Sequence, residues 1–351
     1  MAVKKIGDSK KVIRAVRSKK DLKSIPKAVK NPVISSKGVG KILLDVEKEM
    51  EKVVVGQKAI VRGILRAVLC GGHVLVEGVP GVAKTLIVKA MARVMGCDMK
   101  RIQFTVDLLP TDITGIMSYS PDRGFEMIKG PVFTNFILAD EINRAPPKTQ
   151  SALLEAMQEE SVTIARKTYE LPKPFFVMAT ENPLEVSGVY SLPEAQIDRF
   201  LFKLLIKYPK IEEESSILSK NTTIRDFEDY GLQPLLSPQI IIDLQRRVKQ
   251  VFTSDTIRDY IVRIVSETRD KGFELSKYIS YGASPRASIA LYIASKAEAL
   301  MSGRNFVTPA DVQKVVYPVL RHRIILNYEA EAEGISSDKV IKHILTKVNA
   351  P

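Results

Sequence analysis

The chain has 351 residues, 45% apolar and 26% charged, which supplies enough apolar surface for a full core and excludes wholesale disorder. No run reaches 18 uninterrupted apolar residues, and the opening MAVKKIGDSKK has no apolar stretch of the kind an export signal requires; no spanning helix and no secretory leader are expected. Two cysteines, Cys70 and Cys97, and three histidines, His73, His322 and His343, are too few for a disulfide framework or a Cys/His zinc site and fit a reducing, cytoplasmic setting.

The formal charge of +13 suggests a polyanionic partner until its location is considered. Residues 1–41 hold 13 basic side chains and two acidic ones, Asp8 and Asp21, so that segment carries +11 and residues 42–351 only +2. Residues 1–40 also have few large apolar side chains and no aromatic ring, and cannot offset the entropy of ordering by burial. They read as a solvated, flexible basic extension, in which VIRAVRSKKDL could form a short amphipathic helix. An arm that grips nucleic acid, an anionic surface or an acidic client is the sharper alternative.

From Lys41 the pattern becomes regular. KILLDVEKEMEKVVVG predicts an amphipathic helix ending near Gly56, and Ala59–Cys70 predicts a second. Short apolar runs then alternate with helical segments: His73–Glu77, Arg101–Thr105, Phe136–Ala139, Phe175–Ala179 and Leu201–Lys207. Runs this apolar read as buried parallel strands, and their alternation with helices predicts a sheet covered on both faces. After Pro209 the strands are expected to cease, and helical patterns run to the end, broken at Gly231–Pro238, Gly282–Pro285 and Gly303–Pro309. Two of these breaks carry helix-start chemistry, Ser284 with Pro285 and Thr308 with Pro309. The expected organisation is an extension (1–40), an α/β domain (41–208) and an all-helical domain (209–351).

Directly after the first strand comes Gly78-Val79-Pro80-Gly81-Val82-Ala83-Lys84-Thr85, followed by a helical run, Leu86–Met95. A loop there turns successive backbone N–H groups toward an anion, and the helix start adds its partial positive charge. Lys84 can reach the β- and γ-phosphates of a nucleotide, and the Thr85 hydroxyl can ligate Mg2+. The usual motif has glycine before the lysine; here it is Ala83. The apolar run Asn135–Ala139 ends in two carboxylates, Asp140 and Glu141. In a parallel sheet these stand at the same strand ends as the loop, with Asp140 placed to hold Mg2+ through water and Glu141 to polarise an attacking water. Loop and carboxylates together point to ATP with Mg2+.

On these residues the chain resembles a MoxR-family AAA+ ATPase over roughly residues 42–351. GVPGVAKT with its alanine, DEINRAPPKTQSALLEAMQE (140–159), MATENP (178–183), LPEAQIDRF (192–200), GASPRA (282–287) and VTPADV…VLRHRI (307–324) match in order. The resemblance implies a P-loop AAA+ α/β domain with a parallel sheet, followed by an all-helical lid domain. It implies a homo-oligomeric ring, hexameric in the family, that couples ATP hydrolysis to remodelling, maturation or activation of a client protein complex. By position, Val55, Gly56 and Gln57 resemble the stretch lining the adenine pocket, and Leu86 completes the phosphate-loop stretch. Asn182 resembles the sensor 1 residue, a neutral amide that can hydrogen-bond γ-phosphate and water. Arg199 resembles the arginine finger that reaches a neighbouring subunit's γ-phosphate. Arg286 resembles the sensor 2 arginine at a helix start in the lid, and Arg144 is a second interface candidate. Asp107–Phe133 and Ser161–Leu171 resemble two hairpins that in this clade face the ring's pore and contact substrate.

MoxR-type ATPases often work with a partner carrying a von Willebrand factor A-type domain, and that partnership is expected here. The ATPase subunit of a magnesium-chelatase-like metal-insertion enzyme is the alternative in the same fold. A nucleic-acid motor using the basic arm is the alternative from another class; the near-neutral body argues against it, because a tracking channel needs its own lysines and arginines.

Overall fold

In a computed structural model the described residues are 35–79, 81, 83–122, 124–182, 190–220 and 227–351. The extension up to residue 34 lies outside them, as do Pro80 and Val82 of the loop and any arm role assigned to residues 1–34. The extension ends earlier than expected. The Ser35 hydroxyl accepts the Gly38 N–H and caps α1 (Ser36–Met50), whose Val39, Leu43, Val46 and Met50 form one buried stripe. Residues 36–40 are therefore helix, and α1 stops at Met50 rather than near Gly56, because 51–53 turn.

The chain continues through α2 (Lys58–Cys70), β1 (Val74–Gly78), α3 (Lys84–Val94), β2 (Met99–Gln103) and α4 (Pro110–Thr114). A hairpin, β3 (Gly115–Ser120) and β4 (Gly124–Lys129), precedes β5 (Phe136–Asp140) and α5 (Pro147–Glu159). A second hairpin, β6 (Ser161–Ile164) and β7 (Lys167–Glu170), leads to β8 (Phe176–Glu181), α6 (Glu194–Ile197) and β9 (Phe202–Ile206). Both hairpins fall where the two inserted segments are expected.

The central sheet has the order β2-β5-β8-β1-β9, and every pair in it is parallel. Strands β1, β5 and β8 are buried along nearly their whole length, as strands covered on both faces must be. Edge strand β2 buries only Ile102, so it lacks an apolar run and begins two residues before the expected Arg101.

The remainder is α7 (Ile211–Lys220), α8 (Pro238–Gln250), α9 (Asp255–Glu267), β10 (Ile279–Tyr281), α10 (Pro285–Met301), α11 (Pro309–Leu320), β11 (Ile325–Leu326), α12 (Tyr328–Ala332) and α13 (Ser337–Lys347). Strands do not cease after Pro209: β10 and β11 pair antiparallel, in pieces too short to show in a hydropathy pattern. Ser284 caps α10 with Pro285 at its first position, and Thr308 with Asp311 forms a capping box on α11. Helix α10 is buried on nearly every side and is the axis of the helical half, packed by α2, α9 and α11. Its Glu298, fully buried, accepts from Arg66 of α2 and from Arg62 and Lys314, which ties that half to the sheet domain. Ser35–Pro351 thus forms one compact unit. No helix among the described residues is long and apolar enough to cross a membrane.

Candidate active site

Because the five strands are parallel, their carboxyl ends share one margin. Reading along it gives Gln103 from β2, Asp140 and Glu141 from β5, Thr180 and Asn182 from β8, Gly78 from β1 and Lys207 after β9. Two strand spacings, about 10 Å, separate the start of the phosphate loop from Asp140. Such a margin, at a change in strand order, is where open α/β sheets hold ligands.

Within the loop, Gly81 has φ +82° and an added Cβ would meet nothing. Ala83 has φ 59° and ψ 27°, immediately before α3. Left-handed backbone costs a residue with a Cβ about 1 kcal/mol, which explains the glycine that the general motif places there. Keeping the left-handed turn lets α3 begin at Lys84 with its first N–H groups directed at the loop. The Lys84 ammonium donates to the Gly78 carbonyl across the loop, and Thr85 is half-buried in the first turn of α3.

Beside the loop lies a cavity of about 470 Å³, walled by Val53, Val54, Val55, Gln57, Gly81, Ala83 and Leu86 on one side. Tyr208, Pro209, Glu214, Ile217 and Leu218 wall the other. Its size and apolar lining suit a planar base. Gly56, at φ +76°, lies at its rim, where left-handed backbone favours glycine and the missing side chain leaves room for the Glu213 carboxylate. The Gln57 amide donates to the Lys207 carbonyl at 3.1 Å, joining the start of α2 to the end of β9. Tyr208 and the α7 residues are not evident from the sequence, since they come from a different part of the chain than Val55–Gln57.

The carboxylates are held by three side chains that the sequence does not single out. Asp140 Oδ2 accepts from Arg101 at 2.6 and 3.1 Å, and Asp140 Oδ1 accepts the buried Thr180 hydroxyl at 2.7 Å. The same hydroxyl oxygen accepts the Glu141 N–H at 2.8 Å, so one threonine sets both acidic residues. Glu141, at φ 57°, has Oε2 bound by Gln103 at 2.8 Å and by Arg144 at 3.2 Å. Gln150, fully buried, fans its amide to the carbonyls of Ile142, Ala145 and Tyr190 and fixes the turn that follows. Asn182 is buried just beyond β8, one strand from Asp140 and one from the loop. Beside it, burial pushes the Glu181 carboxyl up from its ordinary value, against the pull of Lys203. The donor set fits Mg2+: a hydroxyl at the helix start and a carboxylate on the same margin are hard oxygen ligands.

Arg199 and Arg286 are elsewhere. Arg199 precedes β9 and so stands at the amino margin of the sheet, one strand length, about 16 Å, from the loop margin. The two arginines share a cavity with His73, Met157, Gln158 and Asp198, and none of these residues lines the nucleotide-sized cavity. Arg286 lies 3.5 Å from Asp198, whereas the Arg199 guanidinium has no ion pair or hydrogen bond among the described residues. Neither cysteine belongs to the site; burial pushes both thiols up to about 12.

A parallel sheet with a phosphate-type loop, acidic strand end and helical lid defines a P-loop ATPase, and comparison with known proteins sharpens that class. The family described as ATPase family associated with various cellular activities (AAA) matches residues 73–202, and the AAA lid domain matches 274–344. Chaperone MoxR1 of Mycobacterium tuberculosis is 47% identical over 313 residues, covering 86% of this chain and 81% of that one. The uncharacterized protein YeaC of Bacillus subtilis is 47% identical over 305 residues, 87% of this chain and 93% of that one. A crystal structure from Cytophaga hutchinsonii, provisionally described as an ATPase, superposes with a TM-score of 0.84 at 47% identity, covering 90% of this chain and 97% of its own. The chain belongs to the MoxR family of AAA+ ATPases.

Proposed function

We propose that the protein hydrolyses Mg·ATP between the subunits of a homo-oligomeric ring, and that the cycle remodels or activates a partner protein complex. The observation that carries this reading is the separation of Arg199 from its own phosphate loop by the length of a strand. A charge-stabilising arginine so placed can serve only a second copy. Arg286, on the same margin, serves with it.

In this reading the loop N–H groups and Lys84 hold the β- and γ-phosphates, and Val55, Gly56, Gln57 and Leu86 flank the base. Thr85 and Asp140 would hold Mg2+, which would neutralise phosphate charge. Glu141 orients the attacking water once Gln103 and Arg144 release it, and Asn182 hydrogen-bonds the water and the terminal phosphate. Arg199 meets the charge that develops on the phosphoryl oxygens. The β3–β4 hairpin, whose tip exposes Tyr119 (64%) and Phe125 (74%), supplies apolar contact for a client. A von Willebrand factor A-type partner and a cytoplasmic setting complete the proposal; the two free thiols suit a reducing compartment.

Glu141→Gln is expected to bind ATP normally and lose turnover. Arg199→Ala is expected to lose turnover by on the order of 10³-fold and to regain part of it when mixed with Lys84→Ala protein, whose subunits keep their arginine. Steady-state hydrolysis of the pure and mixed proteins decides it: a fully active Arg199→Ala protein would remove the inter-subunit role.

A further inference from the structure

The triplet Arg321-His322-Arg323 follows α11 in the lid and lies against the segment that carries Arg199. Arg323 is only 7% exposed, yet its guanidinium reaches five acceptors. Its Nε donates to Asp198 Oδ1 at 2.7 Å, and one terminal nitrogen donates to the carbonyls of Leu201 and Val319. The other terminal nitrogen donates to the Asp198 carbonyl at 3.1 Å and the Phe200 carbonyl at 2.8 Å. Those two carbonyls flank Arg199 in the chain, so a single nitrogen holds the backbone on both sides of it. His322 Nε2 lies 3.0 Å from the same Phe200 carbonyl, and Arg321 donates to the Lys203 carbonyl at 3.0 Å.

A buried guanidinium is a costly way to brace a loop, since apolar residues of similar volume generally stabilise as well or better. What it supplies is geometry: a rigid planar fork that spans a carboxylate and several carbonyls, which an ammonium cannot match. Burial lowers the Arg323 pKa while Asp198 opposes the shift, and the second oxygen of Asp198 faces Arg286. Held backbone and unengaged side chain therefore meet at one residue, Arg199.

We propose that Arg323, assisted by His322, is a positioning residue for Arg199: it fixes the backbone that presents the guanidinium to a neighbouring subunit, and makes that presentation depend on how the lid seats on the sheet. The proposal rests on the inter-subunit reading of Arg199.

The test uses the full chain carrying Arg323→Lys, with urea unfolding to confirm a native state. Expected are a KM for ATP within about twofold of the parent and a kcat lowered about 10- to 100-fold, the scale of a misplaced catalytic group. Mixing with Lys84→Ala protein should restore turnover, as it does for Arg199→Ala, because the mixed ring offers a correctly held arginine to an intact nucleotide site. An unchanged kcat overturns the proposal. So does a loss that mixing leaves unrepaired while the Arg199→Ala control is repaired, for then the defect lies in the variant's own nucleotide site. If the Arg199→Ala control itself is not repaired, the inter-subunit reading fails first and the positioning role falls with it. Should Arg323→Lys not fold, His322→Phe, which removes one bond to Phe200, is read by the same criteria with a smaller expected loss.

Discussion

Thr180 shows how much one hydroxyl can organise. It donates to Asp140 and accepts from the Glu141 backbone, so it sets the distance between the candidate metal ligand and the candidate base. Thr180→Val keeps the shape and the β-branch but leaves the Glu141 N–H without its acceptor. A loss of about 1–3 kcal/mol in stability is expected, together with a fall in turnover of about 10- to 100-fold, whereas Thr180→Ser should keep most of both. Urea titration and steady-state hydrolysis measure the two effects; equal activity in the Val and parent proteins would refute the assignment.

At the scale of elements, α10 joins the two halves through Glu298. Burial raises the Glu298 pKa but the cations, Arg66 first, lower it by more, so the net shift is downward and the group is charged. Glu298→Gln would leave Arg66, itself 6% exposed, without its counter-charge, and a loss of roughly 3–5 kcal/mol is expected by denaturant titration. Strands β1, β5, β8 and β9 are legible in the sequence because each is an apolar run bounded by turn or charged residues. The start of β2 is not, because an edge strand with one buried side chain in five writes no such run. The loop, Asp140, Glu141 and Asn182 are legible as adjacent residues in motifs. Thr180, Gln103 and Arg101 are not, because their roles come from strand register: Gln103 pairs with Asp140 across β2 and β5, a relation between residues far apart in the chain. Arg323 sits inside a matched motif, but its action on Asp198 spans 125 residues and appears only once the lid is packed.

For the molecule as a whole, stability should depend on pH through its buried histidines. His73 accepts the Val177 N–H at Nδ1 and lies 3.0 Å from the Met157 carbonyl at Nε2, which fixes it as neutral with the proton on Nε2. Burial drives its pKa down to about 4 from 6.5, and His322 is lowered in the same direction. Between those values the unfolded chain binds the proton and the folded chain does not, so stability is fully present above pH 6.5 and declines as the pH falls toward 4. His73 alone contributes about 3 kcal/mol over that window. Urea titrations at pH 7, 6 and 5 should show the decline, and His73→Gln should flatten it; equal stabilities at pH 7 and 5 in the parent would contradict it. The seat of the lid on β9 has a further consequence, for how copies can join. The carbonyls of Leu201, just before the outer strand, of Lys203 within it and of Lys207, just after it, are taken by Arg323, Arg321 and Gln57. A visiting strand finds those acceptors already spent. The opposite edge strand, β2, exposes Lys100, and a cation on an edge strand discourages backbone pairing. Sharing a sheet between copies is thus disfavoured at both edges, and the proposed ring would join through side-chain surfaces that can part and re-form at each turnover.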